Sequence, residues 1–394
     1  MCFLSKWKKH KKGIITYLVL AAVVILINVL AWQSNAFCDA YIKYVFPIWV
    51  NTYGRITGLV PFSVGEILLF LAVIAIVLWV ILLLGQGMLW LINACGAKKV
   101  PATKGGNAYG KVVSVYSVGA LWITLVVCFI MTLNCFILYH ASTFSRRYYG
   151  ETKEGYTLEE LIIVRNHVVE QCNRLALEME RDAEGNILYA GDIGQEAILA
   201  MQNLGKTYDQ LDGYYPRPKP LAASDFFSQQ YIGGYYFPFS MEANYNDVMY
   251  IMNYPATICH ELAHLRGYIY EDEANMIGYL ACVKSGNPFF EYSGYLSVLY
   301  YLDNDFWDAI GHDINAYYAQ PIILPQVDED NIFLKQEDWD RIEEEAVIDT
   351  ETVDEVSDAF TETVLVVNGV EDGIKSYSRV VELLLLYYEQ EGLE

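Results

Sequence analysis

The chain contains, at positions 255–275, the stretch Pro255-Ala-Thr-Ile-Cys-His260-Glu261-Leu-Ala-His264-Leu-Arg-Gly267-Tyr-Ile-Tyr-Glu271-Asp-Glu273-Ala-Asn275. Pro255 suits the first turn of a helix, because the N–H that proline lacks has no partner there. In a helix that starts at Pro255, His260 and His264 lie one turn apart on the same face, so both imidazoles can reach one metal ion. The spacing therefore predicts a metal-binding helix.

The glutamate inside this motif has a predicted role of its own. Glu261 lies beside the two histidines at the rim of the expected site, where it can take a proton from a zinc-bound water and deliver it to a leaving amine. Two imidazoles and a carboxylate with one open position favour zinc over other divalent metals. The sequence thus predicts one Zn²⁺ per chain, with His260 and His264 as ligands and Glu261 as catalytic base. The alternative is a helix whose two histidines bind nothing.

A catalytic zinc needs a third protein ligand and an open position for water. Gly267 can end the first helix in a left-handed cap, after which acidic residues suit the start of the next helix. This turn brings Glu271 back toward the histidines, and Asn275, one helical turn later, can hydrogen-bond to a ligand and orient it. Glu273 is the competing candidate. The sequence favours Glu271 but leaves both open.

The motif H-E-x-x-H followed by E-x-x-A-N resembles the gluzincin metallopeptidases, in which two histidines and a glutamate from a following helix hold zinc. The second pattern is similar to the E-x-x-A-D of membrane-bound zinc proteases. Only six residues separate His264 from Glu271, whereas most gluzincins have many more. The turn at Gly267 is instead similar to that of metzincins, whose third histidine would fall at Tyr270.

A closer resemblance is to a family of bacterial multi-pass membrane proteins, domain of unknown function 3810. It rests on an H-E-x-A-H-x-R-G and E-D-E-A-N core and extends to Lys219-Pro220 and to Phe237-Pro-Phe-Ser-Met-Glu-Ala-Asn244. The resemblance implies a zincin-like architecture, and no established substrate comes with it.

Three apolar runs precede the motif. No charged residue occurs within 13–38, 67–97 or 112–145, and each run exceeds the ~20 residues that a helix needs to cross a bilayer. They predict spans at about 14–34, 66–90 and 113–139, which form a membrane domain over 1–139. The first run also resembles a signal peptide that could be cleaved at Ser34-Asn35-Ala36, but it is longer than the usual signal core.

Basic residues predict the orientation of these spans. Five lysines lie at the N-terminus, and the segment between the second and third spans contains Lys98, Lys99, Lys104 and Lys111. The segment between the first and second spans contains only Lys43 and Arg55. Because basic loops stay in the cytoplasm, the N-terminus is predicted to be cytoplasmic and residues 140–394 extracytoplasmic, in a multi-pass protein of the cell membrane.

The net charge of −22 hides a division between the two parts of the chain. Residues 1–139 hold eleven Lys and Arg against two acids, whereas residues 140–394 hold 15 against 46 and therefore carry −31. A domain this acidic repels phosphate backbones, which argues against nucleic acid as a partner. The expected partners are the lipid bilayer and a peptide or protein substrate, envelope proteins included.

Residues 140–394 are predicted to form a soluble zincin-like domain that is mostly α (α+β), with one small sheet. Apolar spacing predicts helices over 156–181 and near 195–211. The aromatic stretch 233–244 predicts one short strand, which Pro238 confines to a sheet edge or an irregular end. An edge strand can accept an extended peptide. Later helices are predicted over the ranges 255–268, 271–284, 292–302 and 305–319, so the active-site helices cover about 255–284.

Two functions therefore compete. The first is a membrane-anchored zinc metallopeptidase, and the second is a non-catalytic membrane scaffold or sensor that keeps a zincin fold to bind a partner. Other side chains are weaker site candidates, for which structural roles are favoured: Tyr292 and Tyr295 as oxyanion donors, Arg266 for a substrate carboxylate, and His312. Cys259 and Cys282 are expected to be buried thiols rather than a disulfide.

Overall fold

Apolar helices open the chain in this computed structural model, which describes residues 2–94, 104–150, 155–368, 370 and 379–393. Within those residues, three helices are long and apolar enough to cross a membrane: Lys11–Gln33, Val64–Ile92 and Ala108–His140. The predicted number and positions of the apolar helices are confirmed. Lys98 and Lys99, which contribute to the predicted orientation, lie outside the described residues.

Residues 2–94 and 104–140 are mostly helical. Their long helices are α1 (Cys2–Gln33), α5 (Val64–Ala94) and α6 (Lys104–Met131). Short helices connect α1 to α5, namely α2 (Asn35–Tyr44), α3 (Phe46–Trp49) and α4 (Arg55–Thr57), with a π-turn at Val50–Gly54. A second π-turn (Thr132–Phe136) and a 3₁₀ turn (Leu138–His140) continue α6 into the following domain.

The C-terminal domain consists of helices and one small sheet. Its helices are α7 (Phe144–Tyr148), α8 (Leu158–Ala176), α9 (Ile193–Leu204), α10 (Ser224–Ser228), α11 (Tyr254–His264), α12 (Glu271–Val283), α13 (Pro288–Ala309), α14 (Ile314–Tyr318), α15 (Pro325–Asp330), α16 (Gln336–Glu345), α17 (Thr350–Val367) and α18 (Val380–Glu391). The predicted helices at 156–181 and 195–211 correspond to α8 and α9. Thr157 and Glu160 form a capping box that fixes where α8 begins.

One predicted helix boundary is wrong. The sequence analysis placed separate helices at 292–302 and 305–319, whereas α13 runs unbroken from Pro288 to Ala309. Neither glycine nor proline lies between Leu302 and Asp305, where the break was predicted, and Asp303 does not compete for backbone hydrogen bonds. Its carboxylate instead accepts a hydrogen bond from the buried Arg165 guanidinium, with Nε–Oδ1 at 3.0 Å.

The sheet has three strands, β1 (Lys219–Pro220), β2 (Gly234–Phe237) and β3 (Glu242–Tyr245), in the order β1-β3-β2. β3 pairs parallel to β1 and antiparallel to β2, with Phe237 opposite Glu242. The prediction of one strand over 233–244 is therefore wrong, because the chain reverses after Pro238 and Met241 takes a left-handed conformation (φ 54°). The predicted edge position is confirmed for β2.

The hydrophobic core of the C-terminal domain includes residues from the first half of the chain. Tyr41, Ile42 and Phe46 from α2 and α3 are buried in the same cluster as the core residues of α8, α11, α12 and α13. Leu138, at the end of the third apolar helix, is buried there too. The core therefore extends across the predicted domain boundary at residue 139.

Two buried glutamates attach the sheet to the start of α5. The Glu242 carboxylate accepts hydrogen bonds from the backbone N–H groups of Val64 (3.3 Å) and Gly65 (2.8 Å) and pairs with the buried Lys219 ammonium. Glu66 accepts from the N–H groups of Ala222 (2.8 Å) and Ala223 (2.7 Å). The first N–H groups of a helix lack partners within the helix and attract negative charge, so Glu242 both caps α5 and neutralises Lys219.

We predict that Glu242→Ala destabilises the protein by about 3–5 kcal/mol, because it leaves the Lys219 ammonium buried without a partner. Arg217→Met is the matched control, since it breaks the exposed Arg217–Asp192 pair, whose removal costs about 1 kcal/mol or less. Chemical denaturation of the full chain in detergent micelles measures both. Equal losses of stability in the two variants would contradict the role given to Glu242.

Candidate metal centre

The motif helix α11 and the following helix α12 approach each other closely. Gly267 turns the chain between them with φ at +87°, which confirms its predicted left-handed conformation. At the crossing, a side chain on Gly278 would lie 2.9 Å from the carbonyl oxygen of Ala256 and 3.2 Å from the backbone nitrogen of His260. Only glycine at this position lets α12 bring its first turn against the two histidines.

This packing brings together three side-chain atoms of the predicted site. The Nε2 atoms of His260 and His264 are 3.1 Å apart. Glu271, the first residue of α12, places Oε2 3.0 Å from Nε2 of His260 and 3.8 Å from Nε2 of His264. A tetrahedral zinc with ligand bonds of ~2.0–2.1 Å separates its ligand atoms by about 3.3 Å, which is close to the mean of these three distances. The donor set therefore fits a zinc ion.

The outer nitrogens of the two histidines fix how the rings are protonated. Nδ1 of His264 lies 2.7 Å from the carbonyl oxygen of Tyr268, which can only accept, so Nδ1 carries the proton. Nδ1 of His260 donates likewise to Oδ1 of Asn275 at 2.8 Å. Both Nε2 lone pairs then face the centre of the site. Metal-binding histidines commonly have this arrangement, and Asn275 makes the hydrogen bond to a candidate ligand that the sequence predicts.

Burial and neighbouring charges shift the pKa values of the two histidines and of Glu271. Burial lowers the pKa of His264 to about 4, so that it is neutral near pH 7. Burial alone would also lower the pKa of His260, but the hydrogen bond and charge of Glu271, with the charge of Glu261, raise it to about 9. The same contacts hold the pKa of Glu271 below its usual value despite burial. The site therefore attracts positive charge, either a proton or a cation.

Glu261 lies next to the three atoms, and one of its ligand atoms and those of His260 and His264 all lie within 4.8 Å of one another. Its Oε1 is 4.0 Å from Nε2 of His260, and its Oε2 is buried with no hydrogen-bond partner among the described residues. Burial raises its pKa to about 8. Gly234 of β2 passes directly over this carboxylate, since a side chain there would lie 2.6 Å from Cγ and Oε1 of Glu261. A free carboxylate oxygen beside a cation site is suited to proton transfer.

The competing third ligand lies elsewhere. The Glu273 carboxylate accepts hydrogen bonds from Ser145, from its backbone N–H at 2.9 Å and its hydroxyl at 2.5 Å. Burial raises its pKa to about 7. Glu273 thus ties α12 to the start of α7, and of the two candidates only Glu271 is placed against the histidines.

The weaker candidates have structural partners. Tyr292 donates to Asp330, His312 pairs with Asp308 on the surface, and Arg266 packs over the ring of Tyr215. Cys259 and Cys282 are buried free thiols, as expected. A further tyrosine, Tyr235 of β2, lies close enough to Glu261 and Glu271 for their charges to act on its pKa. Burial raises its pKa to about 12, with the charges of Glu261 and Glu271 adding, so its hydroxyl remains a hydrogen-bond donor.

The end of the third apolar helix borders the site. Tyr236 of β2 packs its ring against His264 at a centroid distance of 5.8 Å and donates its hydroxyl to the carbonyl oxygen of Asn134 at 3.1 Å. Tyr270, which precedes Glu271, donates to the carbonyl oxygen of Tyr139 at 2.7 Å. Contacts between residues this distant in the chain leave no local pattern, so the sequence analysis missed them.

Apolar helices joined to a helical domain with a buried His-His-Glu cluster define a membrane-associated class of protein with a candidate metal centre. Within this class, the chain belongs to the family described as "Protein of unknown function (DUF3810)", whose model matches residues 41–385. Comparison with curated proteins and with solved structures gives no match. The match begins in α2, so it includes the connection between the first two apolar helices as well as the site.

We predict that the full chain, purified in detergent, binds one zinc ion, and that Glu271→Gln loses it because the remaining two nitrogens bind zinc weakly. Glu273→Gln is the matched control, since it makes the same chemical change two residues away on a carboxylate that faces Ser145. Metal content by mass spectrometry measures both variants. Loss of zinc in Glu273→Gln with retention in Glu271→Gln would reverse the ligand assignment.

Proposed function

We propose that this protein is a membrane-anchored, zinc-dependent metallopeptidase with a zincin-like catalytic domain. The observation that carries the proposal is the convergence of two Nε2 lone pairs and the Glu271 carboxylate on one point, with Glu261 unpartnered beside it. His260, His264 and Glu271 would hold the zinc. When bound, zinc supplies a Lewis acid that polarises a carbonyl group and makes water more acidic.

The residues of the chain would perform the remaining steps. Glu261 takes a proton from the attacking water, and its position below β2 lets it pass that proton to the nitrogen of the leaving amine. His260 and His264 keep their orientation through Asn275 and the carbonyl of Tyr268. Tyr235, whose pKa responds to the charges of Glu261 and Glu271, would be a hydrogen-bond donor for the negative charge that develops on the carbonyl oxygen.

The position of β2 supports a peptide as substrate. β2 lies at the edge of the three-stranded sheet and is paired only on the β3 side in the part of the chain that is described. Its first residue, Gly234, is in contact range of Glu261. An extended peptide that adds to a free strand edge gains backbone hydrogen bonds and would run past Glu261. The scaffold alternative has no comparable observation in its favour.

The proposed orientation follows from the distribution of charge. Gln33, Val64 and His140 are the ends of the three apolar helices that adjoin the C-terminal domain. If the lysine-rich N-terminus is cytoplasmic, the domain and its site lie outside the cell membrane.

We predict that Glu261→Gln keeps its zinc but lowers peptide hydrolysis by about 10²–10⁴-fold, because it removes proton transfer without removing a ligand. The assay is cleavage of a mixed peptide library by the full chain in detergent, with zinc content measured on the same samples. If the wild type binds zinc but cleaves no peptide, the peptidase proposal fails and the scaffold alternative is favoured.

We also predict that Gly234→Ala keeps its zinc but lowers cleavage by about a hundredfold, since the new methyl group displaces the Glu261 carboxylate from its working position. Gly233→Ala is the matched control on the adjacent residue, because a side chain there meets Met249 and Thr257 at 3.1 Å or more and not Glu261. Equal activity in the two variants would contradict the placement of Glu261 under β2.

A further inference from the structure

The candidate site adjoins the bilayer rather than the outer surface of the domain. In the most apolar part of the third stretch, Ala108–His140, 33% of the residues are buried inside the protein. In the other two stretches the corresponding shares are 6% and 0%. The buried part is its last turns, where Asn134 and Tyr139 accept hydrogen bonds from Tyr236 and Tyr270. Tyr236 packs against His264, and Tyr270 directly precedes Glu271. A candidate membrane helix therefore ends against the metal ligands.

The connection between α1 and α5 extends this apolar surface. One side of the connection is buried in the domain core through Tyr41, Ile42 and Phe46. The other side exposes large apolar side chains, namely Tyr44, Val45, Ile48, Ile56, Leu59 and Phe62. Because both ends of this segment join candidate membrane helices, its exposed apolar side lies at the level of the lipid headgroups. The domain thus sits directly on the bilayer.

A groove lies along the last turns of α1. It has a volume of about 410 Å³ and is lined by Val24, Ile25, Asn28, Val29, Trp32 and Gln33, all residues of this helix. Asn28 donates a hydrogen bond to the hydroxyl of Thr132 at 2.8 Å, which joins α1 to the third apolar helix. The ring of Trp32 contacts that of His140 at a centroid distance of 4.4 Å, next to Tyr139. The groove therefore lies beside the end of the third apolar helix, which contacts Tyr236 and Tyr270.

We infer that the substrate is a polypeptide anchored in the same bilayer by an apolar helix, which lies in this groove and presents the adjoining extramembrane segment to the metal centre. This inference rests on the proposed peptidase function. A mostly apolar, lipid-facing groove accepts an apolar helix, and the edge strand β2 accepts the extended chain that follows it. Hydrolysis adds water across one peptide bond, with OH going to the carbonyl carbon and H to the amine, and releases the outer segment from its anchor.

The test presents one peptide library in two forms to the full chain in vesicles of phosphatidylethanolamine and phosphatidylglycerol. In one form the peptides are free in solution, and in the other they are fused to the outer end of a plain Leu-Ala transmembrane helix. Mass spectrometry identifies the new termini. We expect cuts in the anchored form to concentrate within about eight residues of the bilayer, a reach of roughly 28 Å for extended chain.

The position of the cuts separates this inference from a mere increase in local concentration, which would favour anchored peptides at every position. Cleavage of both forms at unrestricted positions would overturn the inference and leave the proposed function standing. Absence of cleavage in both forms would overturn the proposed function and the inference with it.

Variants of α1 test the groove itself. Val29→Trp fills it, and we expect a loss of about tenfold in cleavage of the anchored library, in line with the affinity lost when a binding surface is blocked. Zinc content and cleavage of free peptides should not change. Leu26→Trp is the matched control, since Leu26 is similarly exposed on the same helix but does not line the groove. Equal cleavage by both variants would show that the groove holds lipid instead of the anchor.

Discussion

Two imidazole nitrogens whose lone pairs face each other at 3.1 Å need positive charge between them or beside them. The surrounding structure fixes this arrangement, because Nδ1 of His264 donates to the carbonyl of Tyr268 and Nδ1 of His260 donates to the side chain of Asn275. Glu271 then completes a site that favours a cation. The crossing of α11 and α12, the turn at Gly267 and the missing side chain at Gly278 are all required to hold these groups together.

Buried carboxylates join the helical domain to α5 and join helices within the domain. Glu242 and Glu66 bind backbone N–H groups across the junction with α5, and Glu273 does the same at α7. Each carboxylate leaves water but gains two hydrogen bonds, and charge-assisted bonds of this kind offset the cost of burial. The acidic character of the chain therefore has two components. Most acids add to the negative charge of residues 140–394, while a few act as fixed connections between parts of the protein.

The sequence predicted those features that depend on neighbouring residues. One-turn spacing placed His260 and His264 on one face, and long uncharged runs marked the apolar helices. The site beyond the histidines was less predictable. Glu271 and Glu273 both lie in the first turn of α12. Glu271 contacts His260 and Glu273 contacts Ser145, and only the packing of the folded chain determines this difference. Gly278 and Gly234 allow close packing because they have no side chain. A missing side chain adds nothing to the hydrophobic periodicity from which the sequence was interpreted. The β2–β3 hairpin was missed because its left-handed residue, Met241, is of a type that rarely adopts this conformation.

The burial of Tyr41, Ile42 and Phe46 in the core has a consequence for how the chain folds during synthesis. These residues leave the ribosome long before α11 and α12, so their apolar surfaces stay uncovered while more than half of the chain is synthesised. The core of the domain can therefore close only after α11 and α12 have been synthesised and can cover Tyr41, Ile42 and Phe46.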